Sequence, residues 1–141
     1  MIVLDTGGLY AALDANEALH GRAVAALAAT TPPRVLSPFV LAELDYLIGS
    51  RSGHQAQMAL VDEVVRGAYQ LELFSSEDVS HARRIMERYA DLHIGLADAS
   101  VVVLANRHRT LELLCTDERH FRVLRGTGGK PFRLLPFDAS A

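Results

Sequence analysis

The sequence predicts an α/β protein in which helices flank a mostly parallel central sheet of four or five strands. Short apolar runs alternate along the chain with longer segments of helical periodicity. Glycine, proline and polar residues separate these segments. Because alternating strands and helices favour right-handed crossovers, neighbouring strands are expected to pair in parallel. The length of 141 residues predicts one domain, residues 1–141.

Five short apolar runs are the predicted strands. The first, IVLD, has three apolar residues and ends on Asp5. A continuous apolar run of this length is typical of a strand buried inside a sheet. The predicted strands span residues 2–5, 34–37, 69–74, 111–116 and 132–135.

Six longer segments are the predicted helices. Ser37 and Pro38 form a typical helix start, because serine caps the first turn and proline fits the first helical position. Ser75 precedes a helix with acids in its first turn, which the helix dipole favours. The predicted helices span residues 7–14, 17–30, 38–50, 54–66, 75–90 and 95–108.

Composition and charge limit the functional class. Half of the residues are hydrophobic and 22% are charged, which indicates a folded core rather than disorder. No apolar run approaches the roughly 20 residues of a membrane span, and the N-terminus does not resemble a secretory signal. With a single cysteine, Cys115, the sequence favours a cytoplasmic location.

The net charge of −3 is unevenly distributed. Residues 1–106 sum to −6, whereas residues 107–141 sum to +3. This asymmetry suggests cation binding in the first region and polyanion binding in the second. A scatter of solvated surface charges is the alternative interpretation.

Four acids stand out by position. Asp5 and Asp117 follow the first and fourth predicted strands, so both are expected at the carboxyl edge of the sheet, where such folds bind ligands. Asp98 and Glu43 lie in helices and have apolar neighbours three and four positions away. Converging buried carboxylates repel one another unless a cation neutralises them. A set of carboxylate oxygen ligands, in a sequence with no Cys or His residues at metal-ligand spacing, favours Mg²⁺ or Mn²⁺ over zinc.

Each acid also has an ordinary structural explanation. Asp5 could cap the next helix, Asp117 could cap a turn, and Asp98 could favour a helix N-terminus. Glu43 could pair with an arginine. Asp45 has apolar neighbours as well, so periodicity alone does not separate it from Glu43.

Four segments together resemble the successive motifs of PIN-domain nucleases, most closely the VapC toxins of bacterial toxin–antitoxin pairs. They are IVLDTGGLYAALD, SPFVLAELDYLI, GLADASVVVLANRH and CTDERHF. The resemblance extends from Ile2 to about Leu135 and implies a single PIN-like domain. It implies that the catalytic and metal-binding acids are Asp5, Glu43, Asp98 and Asp117.

The resemblance implies Mg²⁺-dependent endonucleolytic cleavage of RNA, with Mn²⁺ as a possible substitute. Asp5 and Asp98 would be the main metal ligands. Structured ribosomal or transfer RNA is the expected substrate, and a homodimer and a cognate VapB-type antitoxin are the expected partners. The predicted substrate-binding residues are Thr6, Arg107, Arg119 and Arg122, within a basic region that also contains Arg109, Arg125, Lys130 and Arg133.

The sequence departs from the family pattern at one position. A serine or threonine often stands two residues before the fourth acid, but here Cys115 occupies that position and Thr116 is next to Asp117. Neighbouring strand residues face opposite sides, so a hydroxyl contact near the metal is not expected.

Other functions compete with the toxin hypothesis. A housekeeping PIN nuclease or a catalytically silent PIN binding module would keep the same fold. A phosphoryl-transfer domain with an aspartyl nucleophile is disfavoured, because Gly7 replaces the second acid of a D-x-D arrangement. The glycine-rich segment 126–129 is predicted to be a turn, since no helix follows it.

Overall fold

The computed structural model describes residues 1–140 and contains a five-stranded sheet in which all pairings are parallel. This confirms the predicted fold class. The strand order is β3-β2-β1-β4-β5. The strands are β1 (Ile2–Leu4), β2 (Arg34–Leu36), β3 (Gln70–Leu71), β4 (Glu112–Leu114) and β5 (Arg133–Leu135).

Strand β1 occupies the centre of the sheet. Val3 is in register with Val35 of β2 on one side and with Leu113 of β4 on the other. All three β1 residues are 0% exposed, which explains an apolar run without polar alternation. Asp5 therefore leaves the sheet at the middle of its carboxyl edge.

Seven α-helices lie between the strands in the described residues, with two short 3-10 turns at Ala90–Leu92 and Thr127–Gly129. The α-helices are α1 (Thr6–Leu13), α2 (His20–Ala29), α3 (Pro38–Ser52), α4 (His54–Val65), α5 (Ser76–Arg88), α6 (Leu96–His108) and α7 (Glu118–Phe121). The short helix α7 was not among the predicted helices. The predicted strand 69–74 is shortened to β3, because only residues up to Glu72 find backbone partners on β2. None of these helices is long and apolar enough to cross a membrane.

A buried pair of serines fixes α3 relative to α6. Ser37 caps α3 by accepting a hydrogen bond from the Phe39 amide at 3.1 Å. Its hydroxyl also lies 2.6 Å from the hydroxyl of Ser100, and both residues are 0% exposed. The two helices that carry Glu43 and Asp98 are therefore joined near the acids.

Gly8 lets α1 approach β4. A Cβ at this position would lie 2.3 Å from the Leu114 carbonyl oxygen, which is too close for any side chain. The glycine therefore permits the helix that begins after Asp5 to pack directly on the neighbouring strand.

Candidate metal and nuclease site

Three of the predicted acids act electrostatically on the fourth. Asp5 is 5% exposed, and burial is the main reason that its pKa is raised to about 7. The charge of Asp98 raises this pKa further, the Thr6 amide lowers it, and the charges of Glu43 and Asp117 raise it by smaller amounts. Asp5 takes the helix N-cap position but makes no capping hydrogen bond through its side chain, so capping does not explain it.

Asp98 lies in the first turn of α6 and is half-buried. Burial is again the main cause of its raised pKa, which His120 lowers and the charges of Asp117 and Glu43 raise. The mutual effect of these carboxylates shows that the four distant segments bring their acids toward one region. A favourable position at a helix N-terminus alone would not raise the pKa of Asp98.

Glu43 is linked to this region by a hydrogen bond. Thr6 donates from Oγ1 to Glu43 Oε1 at 2.8 Å. No arginine among residues 1–140 pairs with Glu43, so the ion-pair alternative is not observed. The expectation that Glu43 avoids solvent is wrong, because the residue is exposed at its position on α3.

Asp117 both caps a helix and contributes its charge. Its Oδ1 accepts a hydrogen bond from the His120 amide at 3.3 Å, which starts α7. Its charge also raises the pKa of Asp5 and of Asp98. The capping and site interpretations of this acid are therefore compatible.

His120 is the residue that sequence reasoning missed. Its Nδ1 lies 2.8 Å from Asp117 Oδ2 and 3.7 Å from Asp98 Oδ2. This nitrogen is buried, and no residue among 1–140 offers it a hydrogen bond of good geometry. His120 follows Asp117, a potential helix N-cap, by three positions. This spacing places both residues on one side of a helical turn and is the sequence signal that could have identified His120.

Cys115 and Thr116 lie just after β4, between that strand and Asp117. Cys115 is fully buried, and burial followed by the charge of Asp5 raises the pKa of its thiol. Thr116 directs its hydroxyl toward Gly7, where an added Cβ would lie 2.3 Å from Oγ1. That hydroxyl therefore packs against α1.

The carboxylate oxygens of the four acids suit a hard divalent cation, but the side chains are not arranged around a common metal position. Within residues 1–140, no group of three or more His, Cys, Asp or Glu side chains has an arrangement that could hold a metal ion. Asp5, Glu43, Asp98 and Asp117 are the residues that would supply oxygen ligands to such an ion.

Two predicted substrate-binding arginines are engaged elsewhere. Arg107 pairs with Asp78 at 2.8 Å and with Glu72 at 3.5 Å, and it lies nine residues beyond Asp98, about 14 Å along α6. Arg122 is held by Asp138 and Glu118, each at 2.7 Å. By contrast, Arg119 is exposed and forms no ion pair within the described chain. Their roles in substrate binding remain predictions.

Comparisons with known proteins agree with the predicted fold and family. The PIN domain family model matches residues 2–126. Ribonuclease VapC26 of Mycobacterium tuberculosis (strain ATCC 25618 / H37Rv) is 40% identical over 135 residues, which cover 96% of this chain and 100% of that protein.

Two solved structures show the same fold. One is the crystal structure of Mycobacterium tuberculosis VapC20, a sarcin-ricin loop cleaving toxin, with a TM-score of 0.78 and 23% identity over 84% of this chain and 92% of that one. The other is a toxin–antitoxin complex from Klebsiella pneumoniae, with a TM-score of 0.66 and 22% identity over 88% of this chain and 92% of that one. With an α/β sheet of PIN topology and a relative matched over its full length, the chain belongs to the PIN-domain family and, within it, to the VapC group.

Proposed function

We propose that the chain is a divalent-metal-dependent endoribonuclease that acts as the toxin of a type II toxin–antitoxin module. The observation that carries this proposal is the raised pKa of buried Asp5, to which the charges of Asp98, Glu43 and Asp117 contribute. The resemblance to a ribonuclease along almost the whole chain supports it. PIN-domain VapC nucleases generally depend on a divalent metal.

The proposed metal is Mg²⁺, with Mn²⁺ as a substitute. It would be held mainly by Asp5 and Asp98, with Glu43 and Asp117 as direct or water-mediated ligands. A bound ion of this kind lowers the pKa of a water molecule and polarises the scissile phosphate. It would also favour the ionised form of Asp5, which burial otherwise disfavours.

The protein's own side chains would orient the acids. The hydroxyl of Thr6 holds one oxygen of Glu43. His120, with Nδ1 2.8 Å from Asp117 Oδ2 and 3.7 Å from Asp98 Oδ2, would limit the movement of both carboxylates. The Ser37–Ser100 contact keeps α3 and α6 in fixed relative positions.

The proposed substrate is structured RNA, either ribosomal or transfer RNA, and the proposed inhibitor is a VapB-type antitoxin. The names of the two structural neighbours, a sarcin-ricin loop cleaving toxin and a toxin–antitoxin complex, support these proposals. A homodimer and a cytoplasmic location complete the proposal; the free, buried state of Cys115 fits a reducing compartment.

A direct test compares Asp98→Asn with Asp91→Asn, an exposed acid in the turn before α6. End-labelled ribosomal and transfer RNA would be incubated with each variant in Mg²⁺, Mn²⁺ or EDTA. We expect wild type and Asp91→Asn to release products with 5′-phosphate and 3′-hydroxyl ends, and Asp98→Asn to lose cleavage. Full activity of Asp98→Asn would contradict the assigned site, whereas RNA binding without cleavage by the wild type would favour a silent binding module.

A further inference from the structure

A basic cavity of about 320 Å³ lies between α5, α6 and the glycine-rich turn 126–129. Its lining includes three arginines, one aromatic ring and one amide side chain, but no aspartate or glutamate. The residues that matter here are Arg84, Arg88, Tyr89, Asn106 and Arg125. It is separate from the carboxylates described above.

The arginines of this cavity differ in their ion pairing from Arg107 and Arg122, two of the three arginines predicted to bind substrate. Whereas Arg107 and Arg122 are neutralised by carboxylates, no acid within residues 1–140 pairs with Arg84, Arg88 or Arg125. The cavity therefore concentrates positive charge that internal ion pairs do not cancel. Two of its three arginines belong to the otherwise acidic first part of the chain.

The positive charges are held at the cavity wall. Arg125 donates from Nη1 to the carbonyl oxygens of Arg122, Val123 and Leu124 at 2.8, 3.1 and 3.2 Å. Arg88 lies over the ring of Tyr89, with 5.6 Å between the guanidinium carbon and the ring centroid. These contacts restrain two guanidinium groups before any ligand arrives.

The cavity runs beside the helix that carries Asp98. The Asp78–Arg107 ion pair joins the start of α5 to the end of α6, so these helices are antiparallel. Val102 contributes to the cavity wall four residues after Asp98, which is one helical turn, about 6 Å along α6. The cavity wall therefore comes within about one helical turn of Asp98 along α6.

We propose that this cavity binds the phosphate backbone of a single-stranded RNA segment adjoining the cleaved bond. The inference rests on the proposed ribonuclease function and adds a binding site beside the proposed metal ligands, with none of the four acids in its lining. Guanidinium groups match phosphate oxygens in geometry and charge. The Arg88 guanidinium lies over the Tyr89 ring at the cavity wall, and the glycine turn permits close approach of a backbone.

The test compares two double variants that remove the same charge. Arg84→Gln with Arg88→Gln alters the cavity, whereas Arg66→Gln with Arg83→Gln alters exposed arginines at the end of α4 and on α5 that do not line it. Arg125 is left intact, because its contacts with three carbonyl oxygens also support the chain after α7. Fluorescence anisotropy would measure binding of a single-stranded RNA of about 16 nucleotides in EDTA over a series of salt concentrations.

We expect the cavity variant to bind about tenfold more weakly at low salt than the control variant. The slope of log affinity against log salt should become shallower by about 1.4, or about 0.7 for each lost phosphate contact. The single variants Arg84→Gln and Arg88→Gln should each show about half of that change in slope. Equal affinity and slope for the cavity and control variants would overturn the proposal.

Two further outcomes are informative. If a poly-glutamate peptide binds wild type but not the cavity variant, and RNA binding is unchanged, the cavity serves an acidic protein segment and the proposal is wrong. If the wild type binds RNA through the cavity but never cleaves RNA in Mg²⁺ or Mn²⁺, the proposed function fails while the assignment of the cavity stands.

Discussion

Thr6 and Glu43 lie 37 residues apart in sequence and are joined by a 2.8 Å hydrogen bond from Oγ1 to Oε1. Thr6 is 8% exposed, whereas Glu43 is exposed on α3. The bond therefore holds the exposed side chain of Glu43 against the buried side chain of Thr6 at the start of α1. It also shows how an exposed acid is held near the buried Asp5.

Replacing Thr6 should reduce cleavage more than stability. Thr6→Val removes the donor and leaves Glu43 free to rotate, so kcat should fall about tenfold, while the free energy of unfolding should fall by only about 1 kcal/mol. Thr6→Ser keeps the hydroxyl and should retain most activity. Steady-state cleavage and urea unfolding measure the two effects; wild-type kcat in Thr6→Val would show that the bond does not position Glu43.

Glu43 and Asp45 offer a matched test of the α3 acid. Both precede apolar positions in the sequence, but only Glu43 acts on the pKa of Asp5 and bonds to Thr6. Glu43→Gln should lower metal-dependent cleavage by about a hundredfold or more, because a site carboxylate is lost. Asp45→Asn should change kcat by less than about twofold under the same conditions. If Asp45→Asn lost more cleavage than Glu43→Gln, Asp45 rather than Glu43 would be the site acid on α3.

The raised pKa of Asp5 predicts a pH-dependent cost in stability. The pKa is about 7 in the folded protein against its ordinary value of 3.8, so ionisation of Asp5 opposes folding. The cost is absent below about pH 4, grows as the pH rises toward 7, and reaches about 4 kcal/mol above it. Metal-free Asp5→Asn should therefore be more stable than wild type at pH 8.

Urea unfolding of the two proteins in EDTA from pH 4 to pH 8 measures this difference. The gap should close toward pH 4, and Mg²⁺ should narrow it at pH 8 because the ion binds the ionised site. A constant difference across the pH range would mean that Asp5 does not titrate as described.

Gly8 and Gly21 should respond oppositely to alanine. At Gly8 a Cβ meets the Leu114 carbonyl oxygen at 2.3 Å, so Gly8→Ala should cost about 1–3 kcal/mol of stability as α1 is pushed from β4. At Gly21, near the start of α2, nothing lies within 4 Å of the new Cβ, so Gly21→Ala should be neutral or stabilising by about 0.5 kcal/mol. Thermal unfolding midpoints measure both, and equal effects would contradict the close helix–strand contact.

Cys115 should be unreactive in the native state. Its thiol is fully buried and its pKa is raised by burial and by the charge of Asp5, so little thiolate is accessible. Iodoacetamide at pH 8 should label the folded protein far more slowly than the protein in urea, as mass spectrometry would show. Labelling at equal rates would place Cys115 in a more open environment.

The sequence predicted the sheet and most helices because hydrophobic periodicity and capping signals are local. Ser37 and Ser75 both cap helices as expected, and the continuous apolar run at Ile2 corresponds to a central strand. The length of β3 was not predictable in this way, because pairing with β2 decides where it ends.

The candidate site was predictable only in part. Motif order identified four acids whose charges interact in the structure, although their role as metal ligands remains a prediction. The position of His120 depends on α7, a four-residue helix too short to give a periodic signal. The pairing of Arg122 with Glu118 is a local i,i+4 contact, but its pairing with Asp138 and that of Arg107 with Glu72 span 16 and 35 residues, which sequence alone could not show.

The central place of β1 has a consequence for synthesis of the protein on the ribosome. Its two neighbours are β2 and β4, and β4 begins 110 residues after Ile2. During translation, β1 must therefore remain without one of its two neighbouring strands until β4 has been synthesised, which happens late in the chain. Since Asp117 follows β4, nascent chains stopped before that residue cannot assemble all four acids and should be harmless to the RNA around them.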